Sequence, residues 1–190
     1  DNGVITVATT GRNIVTTSVD SSGNNTALNL TTTTSGDISL AGVTAGSGTV
    51  TISSAGTITN VTANTTTEVT AGTFTVSAAD SVGASGTNNA IDIDATTMDI
   101  TSAGAVYADA TGSGGSAITV DAAAGAITLG STTEALTLTS VDTDNGVITV
   151  ATTDQNIVTT VVDSSGNNTA LNLTTTDTGN ISLAGVTAGS

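Results

Sequence analysis

Short apolar runs that follow a glycine and alternate with hydroxyl side chains recur from one end of this chain to the other. The commonest form is glycine, any residue, a large apolar residue, Thr or Ser, then usually a second apolar residue. It appears as GVITV (Gly3 to Val7), GDISL (Gly36 to Leu40), GTVTI (Gly48 to Ile52), GTITN (Gly56 to Asn60), GTFTV (Gly72 to Val76), GAITL (Gly125 to Leu129), GVITV (Gly146 to Val150) and GNISL (Gly179 to Leu183). Relatives without the glycine are ALNL at Ala27, AIDI at Ala90, AITV at Ala117 and ALTL at Ala135. A period of two puts the apolar side chains on one face of a short strand and the hydroxyls on the other. No segment keeps a 3.6-residue apolar period for three turns, and Thr, Val and Ile are strand formers, so the pattern predicts an all-β chain. Clusters such as Asp1-Asn2-Gly3, Ser21-Ser22-Gly23-Asn24, Ser54-Ala55-Gly56 and Gly112 to Gly115 supply the turns.

A longer period sits above the short one. Residues 1–47 return as residues 144–190, an offset of 143, changed only at Gly11/Asp154, Arg12/Gln155, Ser18/Val161, Thr34/Asp177, Ser35/Thr178 and Asp37/Asn180. Every Ile, Leu and Val of the first copy is kept in the second, so the apolar set is the constrained one. The strand centres Ile5, Leu28, Val50, Phe74, Ile91, Ile118, Leu136 and Ile148 divide this unit into seven expected coils of about 20 residues. A second series, Ile14, Ile38, Ile58, Ile100 and Ile127, falls about half a coil away, giving at least two strands per coil. The expected fold is an elongated parallel β-helix, or β-solenoid, with about 20 residues per coil. Residues 1–190 read as one continuous segment, 1–143 as one long repeat and 144–190 as the start of the next, with further copies expected in the parent protein.

Composition narrows the chemistry. The chain has one Arg (Arg12), no Lys, His, Cys, Pro or Trp, and only Phe74 and Tyr107 as aromatics, so its core must be built from Val, Ile, Leu and Ala. A net charge of −15 is the opposite of the basic footprint that nucleic acid or an anionic membrane requires. No stretch reaches the ~20 apolar residues of a membrane span, so neither nucleic acid nor membrane insertion is expected. Near absence of Lys and Arg leaves almost no site for trypsin-like proteases, which suits an extracellular or cell-surface location.

Without His, Cys or Lys, catalysis would have to use carboxylate pairs. Strand neighbours such as Asp92 and Asp94 meet the about 5–9.5 Å separation of glycosidases too easily to mark one, and no aromatic platform for a sugar accompanies them. No enzyme and no cofactor are expected. Calcium is the one ion these acids could serve, with Asp92, Asp94 and Asp99, or Asp142 and Asp144, as candidate ligands. Neither an EF-hand loop nor a GGxGxD nonapeptide is present, and GSGGSA at Gly112 to Ala117 lacks the Asp. Thr-x-Thr pairs at Thr49/Thr51, Thr57/Thr59, Thr73/Thr75 and Thr137/Thr139 are interrupted by AIDID and GAITL, which breaks the coil-by-coil array an ice-binding face would need. Asn-x-Ser/Thr tripeptides at Asn24, Asn29, Asn60, Asn64, Asn167, Asn172 and Asn180 are expected in number from the composition alone.

The phrases GTVTISSAGTITN, AGAITLGSTTEALTLTS and SGDISLAG resemble the repetitive stalks of filamentous-haemagglutinin-like and other large secreted bacterial adhesins. The resemblance covers essentially the whole chain and lies in architecture rather than in any functional motif. It implies a right-handed parallel β-helix, secretion, and a role as a surface stalk or fibre whose partners are further copies of the same repeat, within a longer chain or head-to-tail between chains. The alternative is a surface solenoid module that binds calcium, glycan or ice.

Overall fold

The computed structural model describes residues 3–61, 65–86, 88–165 and 169–188. They form a β-solenoid of parallel strands with about 8 turns of roughly 22 residues, and the single helical element among them is the 3₁₀ turn Ser22–Asn24. The turn cluster expected at Asp1-Asn2-Gly3 begins outside the described residues, as do the tripeptide asparagines Asn64 and Asn167.

Each strand lies in register on the one a coil earlier, so like positions form columns along the axis. One column runs Ile5, Leu28, Val50, Phe74, Met98, Ile118, Leu138. A second runs Ile14, Ile38, Ile58, Val82, Val106, Ile127, Ile148, Leu171. Successive members of the first column are 20 to 24 residues apart, so the coil is not of fixed length. Both columns point inward, and between the ends of the solenoid their members are buried, forming a narrow core of stacked aliphatic side chains with Phe74 as its one ring. Ile91 and Ile100 change face. Ile91 pairs with Ala108 on the second face, leaving its rung on the first to Met98, while Ile100 lies on the first and Val82 and Val106 serve the second. The reason is the twelve-residue strand Ile91–Ser102, which spans both faces.

The two faces exchange character along the axis. In the first coils the first face is one continuous strand, such as Leu28–Thr33, and the second is broken in two, such as Ile38–Leu40 with Val43–Thr44. From Val106–Ala110 onward the second face is continuous, while the first acquires a register shift opposite Ile118/Thr119 and then breaks into Ile157–Thr159 and Val162–Ser164. Consequently Ile148, the counterpart of Ile5, stands on the column of Ile14, and Val162, the counterpart of Val19, stacks on Val141 in the column that begins at Val7. The 143-residue unit therefore contains six and a half coils rather than the expected seven, and the next copy starts about half a turn around the axis.

Corners are held by close approach and by inward hydroxyls. A Cβ at Gly72 would collide with the Ser47 carbonyl oxygen of the neighbouring rung, and Gly36 turns with φ +122°, a conformation L side chains rarely adopt. Thr16 Oγ1 accepts from the Ala41 N–H at 2.8 Å and donates to the Ala41 carbonyl at 3.0 Å, clamping two rungs. Thr159 makes the same pair of bonds with Ala184, both at 2.9 Å, so the clamp repeats with the sequence. Five of the six differences between copies fall at one type of corner. There Asp154, in the left-handed region like Gly11, accepts from both the N–H and the hydroxyl of Thr178.

The repeated sequence supplies its own control for stacking. Val7, on the first rung, is 37% exposed, whereas its counterpart Val150, with rungs on both sides, is 0% exposed. The order is reversed for LNLTTT, whose leucines are buried at Leu28 and Leu30 and only partly buried at Leu171 and Leu173 near the other end. Leu28→Ala should therefore cost about 2–5 kcal/mol. Leu171→Ala should cost less than half as much, as read by urea unfolding of the two variants. Equal losses would contradict the column packing.

Candidate functional site

Alternation turns the acids outward, and register decides which of them meet. Asp92 and Asp94 share the second face, but Asp99 lies beyond the corner on the first, between Thr75 and Thr119. Asp142 stacks between Asp121 and Asp163, one acid per rung, with Asp144 exposed in the turn that follows. Burial raises the Asp142 pKa, and repulsion from Asp163, Asp121 and Asp144 raises it further. The five candidate calcium ligands are thus divided among three places. Among the described residues no group of three acidic side chains is arranged to hold a metal ion.

The Thr-x-Thr pairs do align on the first face at Thr49/Thr51 and Thr73/Thr75, where Thr49 stands beside Thr73 and Thr51 beside Thr75. Asn29 on one side and Asp99 on the other interrupt the column of Thr51, so no regular threonine lattice extends along the solenoid.

A different set lines a groove. Glu68, Asp92 and Asp109 occupy consecutive rungs of the second face. Below them the same outward column continues as Gly130, Ala151 and Thr174, and these small residues leave a groove of about 590 Å³ walled mainly by threonines. Thr67 and Thr111 share a hydroxyl–hydroxyl hydrogen bond of 3.0 Å across the rung of Asp92. Asp92 is left 5% exposed at the upper end of the groove. The Glu68 carboxylate accepts the Asp92 backbone N–H at 2.8 Å. No described residue donates a hydrogen bond to the Asp92 carboxylate, and Arg12, the only basic side chain, lies in the first coil.

The electrostatics follow from that isolation. Burial pushes the Glu68 pKa up to about 7, with the repulsion of Asp92 adding to it, although the Asp92 N–H works in the opposite direction. Burial likewise raises Asp92 to about 6, helped by Asp109, and burial raises Asp109. Glu68 and Asp109 are functional candidates that the sequence pattern does not single out. Each is a lone acid, Glu68 just before the strand Val69–Ala78 in TEVT and Asp109 within YADA, and only the register brings them to Asp92.

Glu134 is also buried, but it accepts from the Gly115 N–H at 2.8 Å and the Ser116 hydroxyl at 2.7 Å and is fully engaged in a corner.

No family model, no curated protein and no solved structure matches this chain.

Because the folded state holds protons on Glu68 and Asp92 above the pH at which the unfolded chain releases them, these groups favour folding at low pH. That contribution is complete below their unfolded values of 4.5 and 3.8 and is lost as pH rises through about 7 and about 6. Asp20 and Asp163 are lowered by bonds from Ser22 and Ser165, so they act below that window, where acid removes their contribution. The melting temperature should therefore fall between about pH 5 and about pH 8, and Glu68→Gln with Asp92→Asn should flatten the slope. Thermal unfolding across that range checks both expectations.

Proposed function

We propose that this chain is a structural repeat of an extracellular fibre or adhesin stalk that extends by stacking β-coils. The observation that carries the reading is the paired environment of identical segments. ITVATT pairs with LNLTTT in the same register in both copies, Ile5–Thr10 on Leu28–Thr33 and Ile148–Thr153 on Leu171–Thr176, and the second copy stacks directly on the coil before it. A segment of that kind is suited to indefinite repetition, in which each copy covers the apolar edge of its neighbour. Near-verbatim repetition of the apolar residues preserves the columns, while the differences collect where the chain turns. The negative charge, borne on outward carboxylates, favours solubility and resists side-by-side association of such shafts.

Copies are joined either within one long chain or head-to-tail between chains, and both use the same strand edges. Chains of one, two and three copies should lengthen by about 31 Å per copy, which is six and a half rungs at ~4.8 Å, with no change in width. Electron microscopy or small-angle scattering measures that increment. Growth in all directions with copy number would sink the stalk reading.

A further inference from the structure

The groove below Asp92 has no part in extending the ladder, and its composition asks for a ligand. Asp92 is more than nine-tenths buried, receives no hydrogen bond on its carboxylate from any described residue, and stands at the head of a groove that opens toward solvent. Its carboxylate keeps solvent contact only through the groove, and the chain offers no lysine or histidine and no nearby arginine to pair with it. Asp109 stands on the next rung with its carboxylate over Gly130, and Glu68 is already engaged by the Asp92 N–H. We propose that this groove binds an alkylammonium group, with the ammonium between the carboxylates of Asp92 and Asp109 and its methylene chain lying on Gly130 and Ala151.

Three features select this class. An ammonium brings three N–H donors to a place that holds acceptors and hydroxyls and lacks a cation of its own. The floor is glycine and alanine and the walls carry threonine methyl groups, a surface that suits a methylene chain better than a fully hydrated ion. Among the described residues no three acidic side chains converge as a metal centre, which disfavours calcium in the same place. The groove spans the rungs from Asp92 to Thr174, about 19 Å along the axis at ~4.8 Å per rung, long enough for an extended side chain or a linear diamine. The ammonium's two sources, a free amine and a lysine side chain of a partner, share this chemistry.

The test titrates the 190-residue chain at about pH 8, where Asp92 is ionised, with 1,5-diaminopentane, with a short lysine-containing peptide and with calcium chloride. Calorimetry or NMR reads the binding. Saturable binding of the diamine or the peptide with a dissociation constant below about 1 mM is expected. Tighter binding of the peptide assigns the amine to a partner's lysine, and tighter binding of the diamine assigns it to a free ligand. Asp92→Asn should weaken binding at least about tenfold. Ala151→Leu, which fills the floor and leaves every charge in place, should weaken it by a similar factor. Asp121→Asn, on the opposite face, should leave it unchanged and so controls for attraction to net charge alone. The proposal is overturned if neither amine saturates, if the Asp92→Asn and Ala151→Leu chains bind as the parent does with strand content intact, or if calcium occupies the groove and the amines do not displace it. None of these results bears on whether the coils stack into a stalk.

Discussion

Register-locked stacking of parallel strands is the constraint on which the molecule depends. Each rung offers its backbone donors and acceptors to the rungs above and below, and the same step places Ile on Ile and Leu on Val through the interior. Neither contribution survives alone. A slip of one residue would turn every aliphatic side chain to solvent and bring the threonines inside. With only one buried aromatic and a core about one coil wide, little packing links distant rungs, so stability is a sum of neighbour interactions. This is why the terminal rungs are the exposed ones and why their exposure reflects position rather than composition.

The inward positions were largely legible from the alternation. Leu28, Val50, Phe74 and Ile118 share a column as their phrases suggest, and so do Ile14, Ile38, Ile58 and Ile127. What the pattern could not yield was the partition of strands between faces. Val82 enters the second column through isolated bridges, too short a contact to leave an alternating signature, and Met98 is hidden in a run of Thr and Asp. An error of one face in the middle of the unit is enough to turn six and a half coils into seven. The glycines opening each phrase read as bends, yet Gly72 is required by the crowding of a neighbouring rung, a constraint between residues far apart in sequence.

The outward positions were less legible because their meaning lies in the register. The sequence groups Asp92 with Asp94 and Asp99, its neighbours along the strand, whereas its neighbours across the rungs are Glu68 and Asp109, 24 and 17 residues away. Unequal coil lengths conceal that relation from any fixed-period search. The same register makes Asp142 a member of a ladder with Asp121 and Asp163 rather than a partner of Asp144 alone. Burial and like charges at rung spacing raise the Asp142 pKa, and at Glu68 and Asp92, where burial dominates, the rise reaches about 7 and about 6.

The half-turn between copies has a mechanical consequence. Any curvature imposed by coils in which one face is a continuous strand and the other is broken is met, in the corresponding coils of the following copy, by the same asymmetry pointed the opposite way. Where two such copies follow each other their bending tendencies cancel. A rod assembled on that rule would carry no net bend over many units even though no single unit is symmetric.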